Sequence, residues 1–160
     1  MNETTTLAKL GKPESQIQDL VLIPVAAPDD LVAAMRNYQE IMHKLLDASD
    51  YYQAGDGISR IRKSGWRKLA LAFGLSDEIL DEKRLVDPND PNHIIYRTTV
   101  RVWSRSGRSV QAVGSADSRE REFAHPEHDL RALAHTRAKS RAIADILGSA
   151  ELIAEELDGE

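Results

Sequence analysis

The chain contains no cysteine. Disulfide frameworks, thiolate metal sites and thiol nucleophiles are thereby excluded, and the composition fits a reducing compartment. Long apolar runs are also missing: nothing approaches the roughly 18 residues that a membrane span requires. The N-terminus has neither the basic start nor the apolar stretch of a secretory signal. These absences lead us to expect an intracellular, cytoplasmic protein with no membrane partner. No Walker-type glycine-rich loop, nucleophile elbow or dinucleotide fingerprint occurs. Nucleotide-driven chemistry is therefore not expected, nor is a cofactor, and the chain does not read as an enzyme.

What is present is an ordinary globular composition with an unusual arrangement of charge. The 160 residues suit one domain, with 41% hydrophobic and 29% charged residues and a net charge of -5. By segment, residues 1–57 sum to -5, 58–72 to +5, 73–95 to -4, 96–121 to +4, 122–145 to zero and 146–160 to -5. Two basic blocks alternate with acidic ones. Such blocks make a positive groove on a negative body, or complementary surfaces on neighbouring copies of one chain. Residues 1–18, polar and without periodicity, read as a flexible leader. Residues 19–148 read as the domain and 149–160 as an acidic tail.

The elements expected are those of an α+β fold, with a hairpin-based antiparallel sheet packed against a long Ala-rich helix and preceded by an amphipathic helix. Pro24 limits Leu20–Val25 to an edge strand or docking segment. Leu31, Met35, Tyr38, Met42 and Leu45 recur at helical spacing after Asp29, ending near Asp47. Ile58–Lys63 alternates like a short strand, and Ser64 is placed to cap a helix that Gly74 ends. On that helix Trp66, Leu69, Ala70 and Phe73 share a face, which makes Trp66 an anchor in the core rather than a platform for bases. Residues 79–86 read as a strand, followed by a turn through Asp87-Pro88-Asn89-Asp90-Pro91. His93–Trp103 sets Ile94, Tyr96, Thr98, Val100 and Val102 on one face and Ile95, Arg97, Thr99, Arg101 and Trp103 on the other. A turn at Ser106-Gly107 returns the chain as a partner strand over Arg108–Gly114. Pro126, Glu127 and Asp129 open the last helix, which runs to Gly148.

The densest positive charge is Arg60, Arg62, Lys63, Arg67 and Lys68 around Trp66, with no acidic residue among them. An anionic partner such as a nucleic-acid backbone is the direct explanation, and a solvated helix face is the alternative. Arg97 and Arg101 beside Trp103 suit a phosphate-tracking groove, and a solvated sheet face fits the same pattern equally well. Arg137 and Arg141 lie four apart on the last helix, where like charges repel unless an anion sits between them. His125, His128 and His135, with Glu127 and Asp129, are the only residues resembling a metal set, and their spacing matches no established motif. No metal is expected.

Three segments together resemble the single-stranded DNA annealing superfamily, which includes the eukaryotic radiation-sensitive fifty-two recombination mediator and related phage annealases. They are Ile61–Gly74; Val100–Gly114, with V-R-V, S-G-R and A-V-G-S; and Arg137–Gly148, R-A-K-S-R-A-I-A-D-I-L-G. The resemblance spans about residues 31–148 and lies in order and spacing rather than in any single motif. It implies a sheet against a long helix, protomers assembled into a homo-oligomeric ring or helical filament, and single-stranded DNA held by its backbone in a positive groove. Annealing of complementary strands in recombination and repair would then proceed without ATP, with a single-strand binding protein or a recombinase as a possible further partner. The family groove maps onto Arg60, Arg62, Lys63, Arg137, Lys139 and Arg141. Arg67, Lys68, Arg97 and Arg101 join the set from the charge and strand patterns. The competing reading is a non-enzymatic assembly protein whose charge blocks join subunits.

Overall fold

The computed structural model describes residues 24–53 and 57–148. The leader, the acidic tail and most of the Leu20–Val25 segment lie outside the described residues. Pro24 and Val25 are not in a strand. The chain divides into two units between Glu40 and Ile41.

Within the first unit the described structure is the greater part of helix α1 (Pro28–Leu45), which opens with Asp29 and Asp30 in its first turn. Acidic residues there complement the positive end of the helix dipole. Leu31 and Met35 are exposed on it. The end of α1 belongs to the second unit, where Met42 and then Leu46 are buried.

The second unit continues with a short 3-10 turn (Ala48–Asp50), strands β1 (Tyr51–Gln53) and β2 (Ser59–Ile61), helix α2 (Lys63–Ala72), strands β3 (Ser76–Asp87), β4 (Asp90–Trp103) and β5 (Ser109–Asp117), and helix α3 (Pro126–Leu147). β1 and β2 form a two-stranded antiparallel ribbon, and β3-β4-β5 form a three-stranded antiparallel sheet in chain order. The fold is α+β with the long C-terminal helix on the sheet, as the periodicities require.

The strands outrun their expected limits. Asp90 and Pro91 belong to β4, so the turn is confined to Pro88-Asn89. Asp87 Oδ1 accepts from Asn89 N at 2.8 Å and fixes that turn. α2 also starts differently from expectation: Arg62 is its N-cap and no side chain caps it. Ser64 instead hydrogen-bonds the Asp50 carboxylate. Gly74 does end the helix, at a φ of 59° that only glycine adopts without strain. Leu75 N then closes the turn on Ala70 O at 2.8 Å.

Tyr96, Thr98, Val100 and Val102 are buried under α3, while Arg97 and Arg101 are exposed on the opposite face. The alanines of α3 have a definite purpose. Ala134 and Ala138 are fully buried, and a Cβ on Gly114 of β5 would collide with the Ala138 N and the Ala134 O. Small residues on the helix and none on the strand allow this approach. Leu130, Ala134, Tyr96 and Ala116 form the core at the other end of the interface, flanked by Ile94, Phe123 and Leu133.

Candidate functional site

The basic block at residues 58–68 is held by an acidic turn some 20 positions earlier in the chain. Asp47 caps the 3-10 turn by accepting from Ser49 N at 2.8 Å. Asp50, 1% exposed, accepts from Lys68 Nζ at 2.5 Å, and Lys68 Nζ also reaches Asp47 Oδ2 at 2.9 Å. Burial pushes the Asp50 carboxyl up, but the hydrogen bonds from Lys68, Asp47 N and Ser64 outweigh it and leave its pKa lowered. The Ser49 hydroxyl, followed by Lys68, holds Asp47 down at about 2. Lys68 is therefore a structural anchor, not a surface cation. Its neighbour Arg60 is buried, at 1% exposure. Arg62 is exposed but engaged: its Nε donates to Tyr51 O at 2.9 Å and its guanidinium lies 5.5 Å from the Tyr52 ring centroid.

The two arginines of α3 have a different function from the one their spacing implies. In an antiparallel ladder alternate residues bond to a given neighbour. Ser104 N donates to Arg108 O and Ser118 N to Ile94 O, both at 2.9 Å, so even-numbered positions carry the β4–β5 ladder. Val113 and Ser115 therefore turn their carbonyls to the outer edge of β5. Arg141 Nη1 donates to Val113 O at 2.8 Å, and Arg137 Nη1 donates to Ser115 O at 2.7 Å. Arg137 is buried and also pairs with Glu120, Nη2 to Oε2 at 2.7 Å. What separates these like charges is strand backbone. They close a sheet edge that would otherwise be open to another chain.

The remaining residues of the expected set fall on two surfaces. Lys63, Arg67 and Lys139 line one cleft of about 210 Å³ between α2, α3 and the start of β3, together with Trp66, Asp77 and His135. Lys63 and Arg67 lie four apart on α2, and His135 and Lys139 four apart on α3. The cleft is thus walled by two helical ladders of basic residues. Asp77 is its single carboxylate, 2.5 Å from Lys139 Nζ. Arg67 is exposed and pairs with no carboxylate among the described residues. Trp66, 2% exposed, is the anchor its spacing implies. Its indole Nε1 donor has no partner among the described residues.

Arg97 and Arg101 lie on the sheet face away from α3, and so away from this cleft. Arg101 sits 5.8 Å from the Trp103 ring centroid and 3.6 Å from Glu78. The ten expected residues therefore do not share one groove on a single protomer: three line the cleft, two lie on the far sheet face, and five are engaged in holding the fold.

His135, which sequence reasoning placed in a metal set, enters the cleft instead. It hydrogen-bonds Glu82, whose Oε2 also accepts from Arg131 Nε at 3.0 Å. Burial raises the Glu82 pKa, but Arg131 and then His135 bring it below the usual carboxylate value. His128 pairs with Asp129 at 3.1 Å, and Asp129 accepts from His125 N at 3.1 Å. Among the described residues no three such side chains are grouped to hold a metal. No helix among them is long and apolar enough to cross a membrane. The spacing His135-x-x-x-Lys139 was the sequence signal for the α3 wall of the cleft.

Neither a protein-family model nor a curated protein sequence matches the chain.

Proposed function

We propose that the protein binds single-stranded DNA through its sugar-phosphate backbone and anneals complementary strands without ATP, acting as a homo-oligomer. The observation that carries this reading is the cleft in which Lys63, Arg67 and Lys139, from two helices far apart in sequence, converge against a single aspartate. Concentrated positive charge in an acidic protein attracts a polyanion, and neutralising phosphates lowers the repulsion between two strands while the base edges stay free to pair. The order and spacing of the three segments that resemble the annealing superfamily point the same way. Arg97, Arg101 and Trp103 form a second basic and aromatic surface that suits a single strand.

The test is the affinity of a dye-labelled oligonucleotide measured by anisotropy across a salt series. Three phosphates neutralised per protomer give a slope of about -2 in log affinity against log salt, from about 0.7 per contact. Arg67→Ala makes that slope shallower by about 0.7. An affinity indifferent to salt would remove the phosphate reading and leave the assembly protein in its place.

A further inference from the structure

The two edges of the sheet are treated differently, and the open one is self-complementary. β5 is closed by Arg137 and Arg141. β3 has β4 as its only strand partner among the described residues. Because even positions of β4 bond to β5, odd positions bond to β3. Glu78, Asp81 and Lys83, registered on Arg101, Thr99 and Arg97, therefore point their backbone groups inward. Asp77, Glu82 and Arg84 point theirs out. No described side chain caps these groups, and the strand runs for 12 residues.

We propose that the outer edge of β3 pairs antiparallel with the same edge of a second copy of this chain, about a two-fold axis that sets Glu78 of each copy opposite Lys83 of the other. Paired residues must share both a sheet face and a backbone orientation. On a regular strand, residues five or seven apart lie on opposite faces. The register shift between Ile79 and Asp81 changes this. It leaves Asp77 and Arg84 together on the α3 face, opposite Val102 and Tyr96, and Glu78 and Lys83 together on the open face. One register then places Asp77 against Arg84 and Glu78 against Lys83, twice over by symmetry. Sliding the copies by two residues in one direction sets Asp77 against Glu82 and Glu78 against Asp81. Sliding them in the other sets Asp77 against Val86 and Glu78 against Leu85. Like charges thus oppose one neighbouring register, and the other loses both pairs of opposite charge. Glu78 and Lys83 have much of their side chains exposed, 47% and 61%. The contact closes on itself at two copies, so a head-to-tail ring or filament must use other surfaces. It does not depend on DNA binding and fails or stands separately from it.

The absence of native cysteine makes a direct test available. Across the new ladder Glu78 and Lys83 form a non-hydrogen-bonded pair, whose Cα separation of about 4.5 Å lies within disulfide reach. In E78C alone the two introduced thiols lie five strand positions apart, about 17 Å, and cannot join; the same holds for K83C alone. The full-length E78C/K83C double variant, oxidised at micromolar concentration, is expected to migrate as a covalent dimer on a non-reducing gel, with both single variants migrating as monomers. Adding K83E to an otherwise wild-type chain is expected to lower the dimer fraction seen by light scattering. A double variant with a native circular dichroism spectrum that does not cross-link, or single variants that cross-link equally well, would overturn the proposal. An edge occupied by a foreign peptide, or by nothing, gives the first of these outcomes.

Discussion

Arg67 and Lys68 are adjacent in sequence and opposite in purpose. Lys68 neutralises Asp50, which is almost fully buried, and Arg67 faces the cleft without a carboxylate partner among the described residues. Lys68→Ala is expected to lower stability, because it strips the charged partner from a buried acceptor. A urea titration reads that loss, and the salt slope of DNA binding is unchanged. Arg67→Ala has the reverse pattern, with stability within about 0.5 kcal/mol of wild type and weaker DNA binding. His93 supplies a pH dependence. The hydrogen bond to Asp117, 2.9 Å from Nε2, raises its pKa above 6.5; burial opposes this and Asp87 assists it. A raised histidine stabilises the fold fully below its ordinary pKa, and that contribution is lost as pH rises through the folded value. Stability should therefore fall between about pH 5.5 and about pH 8.5, and His93→Gln should flatten that change in a urea midpoint measured at both.

At the scale of elements, the α3–β5 contact is the most demanding in the fold. Gly114→Ala pushes a Cβ into helix backbone at Ala134 and Ala138, which cannot rotate away as a side chain can. We expect a loss at or above the usual 1–3 kcal/mol of overpacking, read as a lowered thermal midpoint. Arg137→Ala leaves Glu120 and an edge carbonyl without their partner, and a loss of roughly 3 kcal/mol is expected. That variant tests folding rather than binding. Much of this architecture was legible in the chain. The period-two pattern of β4 gave its buried and exposed faces, the spacing around Trp66 gave its anchoring, and Gly74 and Gly148 marked the helix ends. The cleft was half legible, since its cations were named but not their grouping. The engagement of Lys68, Arg137 and Arg141 was not legible. Their partners lie 17 to 28 residues away, and two of those partners are backbone carbonyls, which any residue type supplies. The bulge at Leu80 was equally hidden, because an added strand residue leaves no compositional mark.

For the whole molecule, the alternation of charge blocks resolves into separate tasks. The acidic turn at Asp47–Asp50 holds the first basic block in place, and the carboxylates of β3 and α3 hold Arg84, Arg131 and His135. Among the described residues, Arg67 stands at the cleft without a carboxylate partner, and Arg97 and Arg101 lie exposed on the open face of the sheet. An acidic protein can therefore present local positive surfaces, and its DNA binding is expected to weaken steeply with salt despite a net charge of -5. The proposed annealing is read from the pairing rate of two complementary oligonucleotides carrying dye and quencher, with and without the protein, at low salt and without ATP. Acceleration that fades as salt is added and is reduced by Arg67→Ala is expected. A folded protein that leaves the pairing rate unchanged would contradict it.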